Sequence, residues 1–371
     1  MAKTSNPFVV VGYQGPETFC DRDVETKTLQ ANIRNGRNTC LISPRRLGKT
    51  ALIRHVFGQL SNHTCIYVDL NKCANLGDLL KVLGSALANI PQKQSLLEKL
   101  SALRFSLDFD SMSGQYSVGF NLVKPEETKR SLSELLSLLN AQKKMVVIAL
   151  DEFQQILSFT DSNVEGWLRS EAQTHSSIRF IYSGSHQRIL HEMFGSKTRP
   201  FYHSAELLKI KSIDQEEYVD FMVNHFRKGK KAIDRDNAAF IYDFCYGFTA
   251  YVQLLCNHLY EKDTPKITRE LILATAGELL VQYEPFYLKL KKPLTATQFQ
   301  VLKAVATLSK VYAITGKDFM TTSGMTNAST VSKTVAALLK YDLLYVDTDE
   351  QGREFYAIDD VLFMRWLQRH P

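Results

Sequence analysis

No apolar run in this sequence is long enough to cross a bilayer. The strongest, such as MVVIAL from Met145 to Leu150, fall far short of the roughly 20 residues a membrane helix needs. The opening residues, MAKTSNPF, lack the apolar core of a signal peptide, so the expected compartment is the cytoplasm, with no membrane partner. Cysteine is sparse. Cys20, Cys40, Cys65, Cys73, Cys245 and Cys256 form no C-x-x-C pair and no Cys/His cluster at zinc spacing, which leaves reduced thiols as the expectation. Dense basic runs are also missing: the formal charge of +6 comes from Lys and Arg spread along the whole chain, so charge alone does not mark a nucleic-acid surface. There is no internal repeat, no low-complexity segment, and no N-K-x-D stretch that would read a guanine base.

What is present is an ordinary globular composition, 44% hydrophobic and 23% charged, over 371 residues, which suits two or three domains. In the first half, short apolar strands alternate with helical patterns. NTCLIS, CIYVDL, MVVIALD and IRFIYSGS read as strands. Helices are predicted after Gly15 up to Gly36, from Gly48 to Leu60, from Leu76 to Ile90, from about Glu126 to Gln142, and from Val164. Strands apolar on both faces and separated by helices predict an α/β fold with a parallel sheet covered on both sides. From Leu103 to Val123, RFSLDFD and QYSVGFNLV alternate apolar and polar residues around SMSG, which predicts a hairpin insertion. Past about Glu206 the strand signals vanish. EEYVDFMVNHF, NAAFIYDFCYGF, AYVQLLCNHLYE and TRELILATAGELL predict a helical domain, and the tail after Pro293 shows three helices and a two-stranded ribbon with TDEQGR as its turn, the winged-helix order. The expected domains are 1–205, 206–285 and 286–371.

The chemistry begins at LISPRRLGKTALI. A strand entering a Gly-containing loop and then a helix offers backbone N–H groups and a positive dipole end to phosphate oxygens. Ser43, Pro44, Arg45, Arg46, Leu47, Gly48, Lys49, Thr50 and Ala51 would line that cradle. Lys49 would reach the β- and γ-phosphates and Thr50 would ligate Mg²⁺. Ser43 stands where the pattern G-x-x-x-x-G-K-[ST] begins with glycine, and a basic loop ahead of a helix would carry the same residues. About a hundred residues later, VVIALDE sets Asp151 and Glu152 at the end of an apolar strand, where open α/β sheets place ligands. Asp151 would hold the metal shell, and Glu152 would orient or deprotonate the attacking water.

SPRRLGKTALI, IALDEFQQI, IYSGS and YAIDDVLFMRWL together resemble the archaeal-type ATPase family of STAND, AAA-like P-loop NTPases, over nearly the whole chain. That resemblance implies an ATPase core, a helical lid and a C-terminal winged helix, using ATP and Mg²⁺. It also implies roles for further residues. FCDRDVE sets Arg22 and Glu25 on the family's adenine-side Arg and Glu, with Asp21 at its glycine. Ser183 and Ser185 lie on the strand of its γ-phosphate sensor, and Arg199 falls where a γ-phosphate arginine is expected. Gly247 matches a lid Gly-x-Pro segment in which Thr249 replaces the proline.

The resulting expectation is a slowly hydrolysing signalling ATPase acting as a switch between ATP and ADP states, with a protein partner or a second copy as its output. The alternative is an ATP-regulated protein that binds duplex DNA through a winged helix whose recognition helix starts near Ser329, with Thr330, Ser332 and Lys333 exposed toward the groove.

Overall fold

The computed structural model describes residues 6–88, 106–110, 115–119, 125–349 and 351–369, with backbone alone for 106–110, 115–119 and 125. Two compact units divide the chain. One comprises residues 22–43 and 49–210, the other residues up to Asp21, Pro44–Gly48 and Lys211 onward.

In the first unit, helix α1 (Asp23–Arg34) precedes β1 (Thr39–Ile42), α2 (Lys49–Gln59), β2 (Thr64–Asp69) and α3 (Leu76–Ala88). The hairpin strands β3 (Ser106–Asp110) and β4 (Gln115–Gly119) pair antiparallel with Ser106 opposite Gly119. The turn predicted at SMSG and the predicted helix end at 89–90 lie outside the described residues. Then follow α4 (Pro125–Asn140), β5 (Val146–Asp151), α5 (Val164–Thr174), β6 (Ile178–Gly184), α6 (Gln187–Gly195) and β7 (Glu206–Lys209).

Five strands form one sheet in the order β2-β5-β6-β1-β7, and every neighbouring pair is parallel. All four residues of β1 and all six of β5 are buried, as strands covered on both faces must be. Leu80, Leu83, Leu132, Leu135 and Leu139 from α3 and α4 pack with Ile66, Ile148 and Tyr182 of the sheet in one core.

Strand β7 corrects the expectation that strands end before Glu206. It pairs with β1, with Thr39 opposite Glu206, but it is an edge strand of four residues, exposed at Glu206 and Leu207. An edge strand with a charged residue at each end has neither the apolar run nor the alternation that marks a buried strand.

The second unit contains α7 (Gln215–Lys228), β8 (Ala232–Ile233), α8 (Arg235–Phe244), α9 (Thr249–Glu261), β9 (Lys266–Ile267), α10 (Arg269–Lys291), α11 (Ala296–Leu308), α12 (Lys317–Ser323), α13 (Ala328–Lys340), β10 (Leu344–Thr348), β11 (Glu354–Ile358) and α14 (Val361–Arg369). The two-residue strands β8 and β9 pair with each other; their brevity kept them out of the sequence pattern. The ribbon β10–β11 pairs antiparallel after three helices, so the C-terminal part is a winged helix. Helix α10 runs unbroken through Pro285 and across the expected boundary at 285 and 286. Its Tyr287 packs on Phe363 and Trp366 of α14, with ring centroids 5.2 and 5.9 Å away.

Candidate nucleotide site

Strand β1 delivers Ser43 to the start of the loop, fully buried. Ser43 is not among the described residues with positive φ, whereas Gly48 (+91°) and Arg46 (+66°) are. The turn therefore demands a glycine at its end and not at its beginning, which is why a serine can stand where the usual pattern has glycine. Lys49 opens α2 and is itself buried; its Nζ donates to the Ser43 carbonyl and to Ser43 Oγ, both at 3.0 Å.

Thr50 Oγ1 donates to Asp151 Oδ2 at 2.8 Å. Asp151 closes β5 and is buried, and two further hydroxyls reach it: Ser183 on Oδ1 and Tyr67 on Oδ2. The backbone N–H of Glu152 donates to Asp151 Oδ1 at 3.1 Å. Strand order makes this convergence, because β5 lies between β2, which carries Tyr67, and β6, which carries Ser183. Burial first, and then the Asp151 charge, push the Tyr67 hydroxyl above the usual tyrosine range, so it stays a donor. The Arg54 guanidinium lies 4.1 Å from the centroid of the Tyr67 ring.

Glu152 sits in the left-handed region at φ +54°. Three donors meet its Oε2: Gln154 Nε2 at 2.5 Å, Ser185 Oγ at 2.9 Å and the Ser185 N–H at 3.3 Å. Gln154 Nε2 also lies 3.3 Å from His186 Nδ1. A Cβ at Gly184 would come within 2.1 Å of Gln154 Oε1, so a larger residue there would displace the Gln154 side chain from Glu152.

Thr50, Asp151, Glu152, Ser183 and Ser185 are thus bound into one network, and Lys49, next to Thr50 in the chain, is tied separately to Ser43. Other predicted residues lie elsewhere in the hydrogen-bond pattern. Arg22, buried at the start of α1 with φ +75°, pairs with Glu25 at 2.8 Å. The ion pairs of Arg199 go to Glu165 at 2.7 Å and Glu192 at 3.9 Å. Gly247 has φ +68°, and a Cβ there would meet the Tyr242 hydroxyl at 2.7 Å. Thr249 is the first residue of α9, a position proline also accepts. Pro44 to Gly48 belong to the second unit, where Leu47 is buried in the core.

Sequence reasoning missed Tyr67 and Gln154. Tyr67 sits in an alternating strand, where an aromatic reads as packing. Gln154 could have been noticed only as a polar residue two places after an acidic pair.

Among the described residues no group of three or more His, Cys, Asp or Glu gathers as a metal site, and no helix is long and apolar enough to cross a membrane. Against curated proteins the chain has no significant match. Its fold is similar to that of a Walker-type ATPase of Pyrococcus abyssi, at 16% identity over 98% of this chain and 99% of that one, with a TM-score of 0.68. It is also similar to the Aeropyrum pernix ORC2 protein in ADPNP–ADP complexes, at 14% identity, 99% and 98% coverage and a TM-score of 0.59. The A. pernix ORC1 protein solved in complex with DNA gives 14%, 96% and 94%, and 0.51. Identities this low show a shared fold. A family profile described as a probable winged helix domain matches residues 285–369. A second profile, for an ATPase domain predominantly from Archaea, matches residues 19–255, which include both the phosphate loop and the Asp151–Glu152 strand end. By that match, over well more than half its length, the chain belongs to this ATPase family.

Proposed function

We propose that the chain is a nucleotide-dependent switch, which binds ATP with Mg²⁺, hydrolyses it slowly, and passes its nucleotide state to the winged helix. The observation that carries this reading is the hydrogen bond from Thr50 Oγ1 to Asp151 Oδ2 at 2.8 Å, which joins two motifs 101 residues apart. Both atoms are hard oxygen donors, and the absence of a larger carboxylate cluster among the described residues suits an ion held mainly by phosphate and water. Thr50 and Asp151 would hold Mg²⁺, which when bound neutralises charge on the β- and γ-phosphates.

The protein's own residues supply the rest. Lys49 gives up Ser43 for phosphate oxygens, and the N–H groups that open α2 face the same anion. Glu152 takes a proton from the attacking water. Three donors fix its Oε2, and Oε1 would take the proton. Gln154 and Ser185 set where the carboxylate points. Arg199 reaches the γ-phosphate only after leaving Glu165. Arg22 and Gly247 serve on the adenine and lid sides. Amide hydrogen exchange at Leu343–Asp360 tests the switch: a non-hydrolysable ATP analogue should alter protection there relative to ADP. Identical exchange with analogue, ADP and no nucleotide would leave an ATPase with a passive winged helix.

A second reading, duplex DNA binding, is favoured by the start of α13, where Ser329, Thr330, Ser332 and Lys333 are all exposed. The similar ORC1 protein was solved in complex with DNA. Steeply salt-dependent duplex binding that Lys333→Ala weakens would support it.

A further inference from the structure

Two arginines of the phosphate loop are claimed by carboxylates of the winged helix. Arg45 Nη2 lies 3.1 Å from Asp342 Oδ2 and its Nη1 3.7 Å from Asp359 Oδ2; Arg46 Nη1 lies 2.9 Å from Asp360 Oδ2. The Arg46 guanidinium also covers the Tyr251 ring at 4.8 Å, and its carbonyl accepts from the Ala250 N–H at 3.1 Å. Leu47, 4% exposed, sits in the same core as Tyr251 and the winged helix. Three consecutive loop residues are thus fixed by the unit that carries the winged helix.

The fold aims the three carboxylates. Asp342 follows α13 at φ +55°. Asp359 donates its N–H to Leu343 O at 3.3 Å, and Asp360 Oδ1 accepts from the Phe363 N–H at 2.9 Å, capping α14. Burial pushes the Asp359 carboxyl up, and the two arginines pull against that shift. Each pair is partly exposed and weak by itself. What gives them consequence is the loop backbone: Arg46, a non-glycine residue, is held at φ +66°, a conformation that persists only where the surroundings over-determine it.

We infer that Asp342, Asp359 and Asp360 are positioning residues of the phosphate loop. By holding Arg45 and Arg46 they keep the loop pre-shaped for a nucleotide, so the winged helix sets nucleotide affinity. This rests on the nucleotide-binding reading above. It also gives a task to two stretches far apart in the chain, SPRRLGKT and YAIDD.

The test is calorimetric titration of the full chain with Mg-ATP and Mg-ADP. Asp360→Asn removes the charge while its amide oxygen still caps α14, and it should weaken both nucleotides about tenfold, the scale of releasing one strained residue. KM should rise with kcat unchanged, and Asp360→Glu should recover most of the loss. In a double-mutant cycle, Arg46→Ala with Asp360→Asn should cost no more than either alone. Affinity unchanged or tightened in Asp360→Asn, or additive losses in the cycle, would overturn the inference while Lys49→Ala still abolishes binding. Normal binding by Lys49→Ala would instead overturn the nucleotide site, and the inference with it.

Discussion

Lys49 Nζ donates to both the carbonyl and the Oγ of Ser43, each at 3.0 Å, so the residue in place of the loop's first glycine also holds the loop's lysine. Turning toward a phosphate costs Lys49 both bonds. Ser43→Gly removes one of them and loosens the backbone, so the fold should lose about 1 kcal/mol. Nucleotide affinity should rise by up to about fivefold, because Lys49 forfeits one bond fewer. Thermal melts and calorimetry check both; weaker binding would mean that Ser43 Oγ contacts the phosphate directly.

The acidic pair should separate in its effects. Glu152→Gln should keep nucleotide binding and lose hydrolysis by at least about a hundredfold, the usual scale for a missing general base. Asp151→Asn should also flatten the Mg²⁺ dependence of binding, since Asp151 gathers Thr50, Ser183 and Tyr67 whereas Glu152 does not. Metal titrations with a fluorescent nucleotide, followed by phosphate-release assays, distinguish the two. Equal phenotypes would reduce the pair to a strand terminus.

Gly247 and Thr249 make a contrasting pair. Gly247→Ala forces a side chain into φ +68° and within 2.7 Å of the Tyr242 hydroxyl, so about 1–3 kcal/mol should be lost in denaturant unfolding. Thr249→Pro should be neutral or stabilising. Phe248 before it is extended (φ −74°, ψ 109°), and Thr249 Oγ1 is buried without a partner.

Stability should fall on mild acidification. His225 is buried against Phe221, with ring centroids 4.2 Å apart, and burial foremost, with Lys228, lowers its pKa below 6.5. The unfolded chain then takes up a proton near pH 6.5 that the folded chain refuses, so this contribution is present above that pH and lost as pH falls toward the folded value. His225→Phe should make the melting temperature less sensitive between about pH 7.5 and 5.5. His55 and His63, also lowered, would retain part of the dependence. An identical pH profile for the variant would remove His225 from this role.

Much of this was legible in the sequence because the informative residues are local. Apolar strands such as Val146–Leu150, the Gly48-Lys49-Thr50 run and the Asp151–Glu152 strand end each declare themselves within a few positions. What was hidden depends on chain crossing. Tyr67 reaches Asp151 only because β2 lies beside β5 in the sheet, and no spacing in the sequence encodes that neighbour. Arg46 and Asp360 are separated by 314 positions, and each alone reads as a solvated charge. Strand β7 escaped because a short charged edge carries no hydrophobic period.

A loop that begins with Ser43 and ends at Gly48-Lys49-Thr50 should be a working nucleotide site. Calorimetric titration of Mg-ATP into the native chain and into Lys49→Ala tests it most directly. Lys49 Nζ donates within its own loop, to Ser43, so the variant should melt within a few degrees of the native chain. Saturable binding by the native chain and none by the variant is the expected result. Equal affinity in both would contradict it.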